Sequence, residues 1–299
     1  MVEGLDAVGN WKNNPWAVVQ GFQRYLLQVG FTDKVLGSIL DRLVEMQVYD
    51  PSLIIVTSDH GISFRAGAPR RDVIESNVDD IAPIALIMKT PYQQQGIISN
   101  RNVETVDILP TILDVLDADP LDSLDGRSLL DSESPDRNQK RIYTKPRRHE
   151  GRYIYFDPEP IVRNAALRQK FSLFGAPIRF DNLFQIGERK ELLNRNINEI
   201  HIAQRKDVSV EIHDLAAFDN VEPNGEQLPA FITGRLHLPN DSIDQLTLLI
   251  AVNNIIKATT RSFPMEAGRH GFGALVPEDS FRSGKNLVQI IVLPESESD

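Results

Sequence analysis

Leu53–Gly61, with the sequence Leu-Ile-Ile-Val-Thr-Ser-Asp-His-Gly, carries the strongest signal for secondary structure and for a functional site in this sequence. Its continuous apolar start, rich in Ile and Val, predicts a strand buried on both faces of a parallel sheet. Catalytic and ligand-binding groups in such sheets gather at the carboxyl ends of the strands. Asp59 and His60 follow the strand at that end. Gly61 allows a sharp turn, so we expect both side chains to face an open crevice.

The Asp59–His60 pair is a candidate metal-binding pair. A hard carboxylate oxygen beside a borderline imidazole nitrogen suits Zn or Mn better than an ion that prefers oxygen alone, such as Ca. The alternative is structural, because Asp and His after a strand also cap the next helix or line a polar loop. The two residues by themselves leave both interpretations open.

Length and composition bound the class of protein. The 299 residues are sufficient for two domains, and a hydrophobic content of 41% supports packed cores. A net charge of -10 argues against nucleic acid as a partner, because phosphate binding requires a basic surface. The sequence has no cysteine, which excludes disulfides, thiolate metal sites and a cysteine nucleophile within it. No run of 18 apolar residues predicts a membrane span.

Periodicity predicts helices and strands on both sides of the central stretch. Apolar residues at steps of three and four predict a helix over residues 16–46, with its apolar face in the core. Residues 81–88 form the next predicted strand. A helix follows over residues 103–116, and because Pro110 is tolerated only in a first turn, this helix starts near Ile108 or kinks there. We assign Asp107 a structural role as its N-cap.

Beyond residue 140 the pattern changes to short strands. Residues 141–144 and 153–156 are predicted strands, and residues 161–174 are a predicted helix. Residues 206–294 alternate with regular turns, including the hairpin signal Asn253-Asn254, which indicates a β-sandwich of about six strands. The predicted domains are residues 1–145 (α/β), 146–205 (a connecting segment) and 206–299 (the β-sandwich-like domain).

Thr57–Gly61 resembles the Thr-Ser-Asp-His-Gly signature of the sulfatase family within the alkaline phosphatase superfamily. Three further segments resemble that family in the same order, namely Ala82–Pro91, Val106–Leu116 and Leu124–Leu129. Four matches in the right order are more specific than any one of them, and the resemblance as a whole covers residues 22–130. The resemblance implies an α/β fold with an alkaline-phosphatase-like sheet and flanking helices, followed by the C-terminal all-β sandwich-like domain.

The resemblance also implies a chemistry. Members of this family hydrolyse sulfate or phosphate esters by in-line attack of an enzyme nucleophile with the help of a divalent metal. Asp59 and His60 match the metal ligands, and the ion, Zn, Mn or Ca, is left open. The family's nucleophile, a Cys converted to formylglycine or else a Ser or Thr, lies in an earlier part of the fold. No Cys-x-Pro-x-Arg occurs here. We therefore expect the nucleophile upstream of this chain and no turnover by the chain alone.

The long loop of residues 62–80 is predicted to lie over the strand ends, where substrates are usually held. Arg65 and Arg71 are the candidate substrate-binding residues, since a guanidinium fork matches the oxygens of sulfate or phosphate. The alternative is that these arginines are solvated charges of an exposed loop. A further alternative is that Asp79 and Asp80 pair with these arginines in place of a ligand.

Two other functions stay open at this point. The first is a phosphoglycerol- or phosphoethanolamine-type transferase of the same superfamily, and the second is a non-catalytic binding protein. The expected partner is an anionic ester substrate, with self-association through an incomplete sheet. The cellular location is unknown. The candidate arrangement is a parent protein that is anchored in a membrane and has an extracytoplasmic catalytic domain. If Asp59 and His60 lie in solvent on an antiparallel edge, the hydrolase assignment would fail.

Overall fold

The computed structural model describes residues 4–119, 123–144, 151–157, 171–172, 174, 180–201, 205–239, 245–265 and 269–294. The chain divides into two compact units. We call the first the β unit, which comprises Met1–Gly4, Asn13–Gly30 and Ala165–Asp299, and the second the α/β unit, which comprises Leu5–Lys12 and Phe31–Asn164. The predicted domain boundaries at residues 145 and 205 stay predictions.

Helix α1, Pro15–Glu45, confirms the predicted N-terminal helix, but the prediction that its apolar face is buried holds only for its first turns. Trp16 and Phe22 are buried within the β unit. In the second half, Phe31 is 68% exposed and Ile39 is 52% exposed, because no element of the described chain packs over those positions closely enough to bury them. The core-packing prediction is therefore wrong for this half.

Polar side chains attach the start of α1 to the other segments of the β unit. Trp16 donates its indole N–H to the Thr260 hydroxyl at 3.1 Å. Gln20 donates to the carbonyl of Gly273, and Gln23 donates to the carbonyl of Leu183 at 2.5 Å. Both glutamines are almost fully buried, so these hydrogen bonds compensate for the loss of their hydration.

The predicted parallel strand is wrong. Strand β1, Ile54–Thr57, pairs antiparallel with β2, Leu86–Lys89, in a two-stranded sheet. A strand buried on both faces needs neighbours on its edges and helices over both faces. In the described part of the chain β1 has a single pairing partner and stays half-buried. The short helix α2, Val78–Ile81, occupies the first position of the predicted second strand, which begins only at Leu86.

Helix α3, Ile108–Val115, starts where the proline predicted, with Pro110 in its first turn. Asp107 occupies the N-cap position, but its side chain makes no capping hydrogen bond to α3, so that part of the prediction is wrong. The carboxylate instead accepts from both terminal nitrogens of Arg137, at 2.7 and 2.6 Å. It also accepts from the backbone amides of Glu104 at 2.8 Å and Arg127 at 3.0 Å.

Strands β3, Lys140–Thr144, and β4, Arg152–Phe156, pair antiparallel and confirm the two predicted short strands. The predicted helix over residues 161–174 lies outside the described residues except at residues 171, 172 and 174. No helix within the described residues is long and apolar enough to cross a membrane.

The described part of the β unit contains two antiparallel sheets. The strands are β5 (Ser209–Ile212), β6 (Phe231–His237), β7 (Thr247–Val252), β8 (Ile255–Arg261), β9 (Phe263–Pro264), β10 (His270–Leu275) and β11 (Val288–Val292). Their orders are β5-β6-β10-β9 and β11-β7-β8. Both central residues of the predicted hairpin, Asn253 and Asn254, have positive φ, as such a turn requires. Strand β9 was not predicted from the sequence.

One hydrophobic cluster is shared by the two sheets. It includes Ile232 and Leu236 on β6, Leu248 and Ile250 on β7, and Phe272 on β10. All five are at most 1% exposed. Two sheets that enclose one core agree with the predicted all-β domain, while its description as a β-sandwich stays a prediction.

The Asp107 network predicts an acid-sensitive stability. Burial alone raises the pKa of Asp107, but the hydrogen bonds from Arg137, Glu104 and Arg127 outweigh it and lower the pKa below its usual value. The network therefore stabilises the fold fully above the unfolded-state pKa of about 3.9, and this contribution is lost as the pH falls through the lower folded-state pKa. We expect Asp107→Asn to lose about 3–5 kcal/mol at pH 7, because Arg137 loses its two-pronged carboxylate partner and keeps only the longer contact with Glu104 at 3.6 Å.

Urea unfolding followed by circular dichroism at pH 7 and at steps from pH 5 to pH 2 measures this effect. The difference between the wild type and Asp107→Asn should shrink as the pH falls. Asp33→Asn, at an exposed position of α1, is the control and should parallel the wild type. A difference that stays constant over the whole range would show that the ionised carboxylate is not the source of the stability.

Candidate metal centre

Asp59 and His60 follow the end of β1. Thr57, the last residue of the strand, donates its hydroxyl to the carbonyl of Ala85 at 2.9 Å, which fixes the start of the loop. The Asp59 side chain is 86% exposed and the His60 side chain is 38% exposed. The pair therefore faces solvent, and the expected placement at the end of a buried parallel strand is wrong.

The His60 ring is held in one tautomer. Its Nδ1 lies 2.6 Å from the carbonyl oxygen of Gly61. Because a carbonyl only accepts, Nδ1 carries the proton and Nε2 keeps its lone pair. That Nε2 lies 3.6 Å from Oδ2 of Asp59. A backbone carbonyl that orients the ring in this way is the usual support of a metal-binding histidine.

Asp59 is held in its charged form. Its Oδ1 accepts the backbone N–H of His60 at 2.9 Å. This hydrogen bond is the largest cause that lowers the pKa of Asp59. A charged carboxylate and a bare imidazole nitrogen at this separation fit a borderline divalent cation. They supply two ligands, and within the described residues no group of three or more His, Asp or Glu side chains could hold an ion.

Gly61 is needed for a different reason from the predicted turn. It does not have a positive φ. A Cβ at Gly61 would lie 2.4 Å from the carbonyl oxygen of Asp80, and the Gly61 N–H donates to the carbonyl of Ile81 at 2.8 Å. Glycine therefore permits the close approach of α2 to the backbone behind His60, which fixes the base of the candidate site.

Arg65 pairs with the acidic residues that follow it in the chain. Its Nε donates to Asp80 at 2.6 Å, and one terminal nitrogen donates to Asp79 at 2.7 Å. Its other terminal nitrogen donates to the carbonyl of Ser76. Ser63 adds a hydroxyl hydrogen bond to Asp80 at 2.8 Å. The pairing with Asp79 and Asp80 that we considered as an alternative is thus observed, and a role of Arg65 in substrate binding stays a prediction.

Arg70 and Arg71 differ from Arg65 in burial and in their contacts. Arg71 is exposed, and its role in substrate binding also stays a prediction. The Nε of Arg70 is buried and has no hydrogen-bond partner within the described residues. Burial and the neighbouring charge of Arg71 lower the pKa of Arg70. The sequence interpretation did not single out Arg70, because burial of one nitrogen leaves no signal in the sequence.

Two residues that the sequence analysis missed keep the loop ordered. Asn77 is fully buried, donates to the carbonyls of Pro69 and Asp72, and accepts the N–H of Ile74 at 2.8 Å. Trp11 donates its indole N–H to the carbonyl of Ser63 at 2.8 Å. A buried polar residue within a polar loop resembles its neighbours in sequence, so only the fold reveals it.

Comparison with known proteins identifies the class of this region. Residues 6–118 match the family model described as Sulfatase. This range contains the Thr57–Gly61 signature and two of the three further segments, while Leu124–Leu129 lies beyond it. The resemblance to the sulfatase family, with the α/β class that it implies, is therefore confirmed for this part of the chain.

A distant relative supports the same family. An ulvan-active sulfatase from Formosa agariphila is 21% identical over 178 residues, which are 58% of this chain and 35% of that protein. The chain thus spans about a third of the length of this curated relative. No solved structure matches the chain. Asp59 and His60 lie in solvent after an antiparallel strand, which is the outcome that we expected to count against a hydrolase. The support for a hydrolase therefore comes from the sequence matches and not from the geometry.

Arg65 and Arg70 are expected to differ in how much they contribute to the free energy of unfolding. Arg65→Ala would remove the guanidinium that compensates the charge of Asp80, whose side chain is 8% exposed. We expect a loss of about 3–5 kcal/mol in the free energy of unfolding. Arg70→Ala removes a nitrogen that has no partner in the described structure, so we expect no loss from it beyond its packing.

Urea unfolding of both variants measures this contrast, with Arg71→Ala as the exposed control. Equal stability of Arg65→Ala and the wild type would indicate that the Arg65 pairs do not stabilise the loop. In that case the guanidinium of Arg65 would become the stronger candidate for a substrate anion.

Proposed function

We propose that this chain is part of a metal-dependent sulfatase-like hydrolase of sulfate esters, to which Asp59 and His60 contribute metal ligands. The observation that supports this most is the match of residues 6–118 to the sulfatase family, which includes the Asp59–His60 signature. The tautomer of His60, with Nε2 free beside a charged carboxylate, is chemically suited to that role. The name of the relative favours sulfate esters over the transferase alternative.

The residues of this chain perform the binding part of the proposed reaction. The carbonyl of Gly61 keeps the proton on Nδ1 of His60, so Nε2 stays available as a ligand. The backbone amide of His60 keeps Asp59 charged. A divalent cation bound here would polarise an ester oxygen and favour ionisation of a nucleophile.

The nucleophile is proposed to lie outside this sequence. The chain contains no cysteine and no Cys-x-Pro-x-Arg motif, which the resemblance leads us to expect. Ulvan is the first natural substrate to test, because it appears in the name of the relative. Self-association and a membrane-anchored parent stay proposals, and the exposed second half of α1 is compatible with the former.

Metal binding tests the assignment of the two ligands. We expect the chain to bind Mn²⁺ or Zn²⁺ weakly, because two ligands of a larger set make a poor chelator. Asp59→Ala and His60→Ala should each lose this binding in isothermal titration calorimetry. The matched control is His237→Ala, because His237 and Glu211 have the same 3.6 Å separation of nitrogen and oxygen. Equal binding by the wild type, Asp59→Ala and His60→Ala would reject the metal centre and favour the non-catalytic alternative.

Turnover tests the proposed position of the nucleophile. We expect this chain with Mn²⁺ or Zn²⁺ to release no 4-nitrophenol from 4-nitrophenyl sulfate, because we propose that the nucleophile, a converted Cys or else a Ser or Thr, lies outside it. The absorbance of the product measures the rate, and 4-nitrophenyl phosphate is the parallel substrate. A rate above the buffer blank that disappears in Asp59→Ala would contradict this proposal and would place the nucleophile within the chain.

A further inference from the structure

The hairpin of β3 and β4 has one face built from three tyrosines and one arginine. Cross-strand pairs join Tyr143 to Tyr153 and Arg141 to Tyr155. Because side chains alternate along a strand, these four residues lie on the same face. We call them the tyrosine face. Residues of the opposite face include Thr144 and Ile154, which are 7% and 9% exposed and pack inward.

The tyrosine face is open to solvent. Tyr143, Tyr153 and Tyr155 are 57%, 49% and 60% exposed. Three large rings left this accessible on adjacent positions form an apolar patch with polar hydroxyl rims, which is unusual for a surface without a partner. Since Ile154 and Thr144 already bury the other face of the hairpin, the exposed rings are not required for its core.

The rings are held in place by one another. Tyr143 and Tyr153 meet edge to face with centroids 5.4 Å apart, and Tyr155 lies 6.3 Å from Tyr153. A Cβ at Gly151 would lie 1.9 Å from the Tyr143 hydroxyl, so this glycine leaves the space that the ring occupies. The guanidinium of Arg141 lies 5.3 Å from the Tyr153 centroid, at cation–π distance. The surface is therefore preorganised, which lowers the entropic cost of binding.

The charge of the hairpin is opposite to that of the chain. The ten residues of β3 and β4 include Lys140, Arg141 and Arg152 and no acidic residue, whereas the chain has a net charge of -10. Arg141 and Arg152 are exposed. A second copy of the same face would meet like charges, so charge complementarity favours an anionic occupant.

We propose that the tyrosine face binds the chain of a sulfated polysaccharide, with sugar rings packed on the tyrosines and a sulfate group on Arg141. The flat C–H face of a pyranose ring is apolar and matches the face of an aromatic ring, while a tyrosine hydroxyl can form hydrogen bonds to the rim of the sugar. A guanidinium fork matches the oxygens of a sulfate group. This inference rests on the proposed function, because it names the polymer to which the ester would be attached.

A polysaccharide fits this surface better than a nucleic acid does. Strands with a phosphate at every nucleotide need a groove with many basic side chains, and the acidic chain offers one arginine among the three rings. A sulfated sugar polymer presents fewer charges per ring and many hydroxyls. Its recognition therefore depends more on the rings and less on the number of cations.

Affinity electrophoresis of the intact chain in gels that contain dextran sulfate tests the proposal, at 0.15 M salt and with EDTA. We expect dextran sulfate to retard the wild type more than neutral dextran or oligothymidylate does. Tyr153→Ala, Tyr155→Ala and Arg141→Ala should each weaken the binding, with a loss of about tenfold for Tyr153→Ala, the central ring. Circular dichroism establishes that each variant is folded.

The matched controls are Tyr92→Ala and Arg42→Ala, which remove an exposed tyrosine and an exposed arginine outside the hairpin. Both should behave as the wild type. The proposal is overturned if dextran sulfate does not retard the wild type, if the hairpin variants bind as tightly as the controls, or if oligothymidylate binds equally well. Because EDTA removes divalent metal and no turnover is measured, failure of the metal centre leaves this result unaffected, and the two proposals fail separately.

Discussion

The compensation of one buried charge is the constraint on which the α/β unit depends. Asp107 has a fully buried carboxylate, and an isolated charge in that position would destabilise the fold strongly. The two-pronged contact with Arg137 neutralises it, and amides from two other segments satisfy its remaining lone pairs. The close packing of Gly126, where a Cβ would lie 2.0 Å from the carbonyl oxygen of Val106, brings the Arg127 amide within reach. Three segments of the chain are thus joined at one carboxylate.

The sequence predicted those elements whose signal is local. Helix α1, the start of α3 at Pro110, the hairpin of β3 and β4, and the turn at Asn253 and Asn254 all follow from periodicity or from a single residue with restricted dihedral angles. The role of Asp107 could not be predicted, because its partner Arg137 lies 30 residues away in a polar stretch. The same holds for Arg65, whose choice between a substrate and the Asp79–Asp80 pair is decided only by the fold.

The central strand shows where local reasoning fails. An apolar run such as residues 53–56 indicates a strand with favourable burial, but the number and direction of its neighbours are properties of the sheet and not of the strand. Within the described residues the only pairing partner of β1 is β2, and the two strands run antiparallel. The exposed apolar residues of α1, such as Phe31 and Ile39, illustrate the same limit, because helical periodicity identifies an apolar face and not what covers it.

The sequence identified the two residues of the candidate site, but it did not predict the backbone contacts that surround them. Asp59 and His60 were identified by their types, their spacing and their resemblance to one family. The orientation of both side chains depends instead on backbone groups, namely the carbonyl of Gly61 and the amide of His60. These contacts lie within three consecutive residues, so they do not require the buried parallel strand that we expected. A local loop conformation, supported by the close approach of Gly61 to the carbonyl of Asp80, is sufficient to orient both ligands. The loop orients the two proposed ligands. The affinity for a metal is a separate property, because a complete coordination shell needs additional ligands.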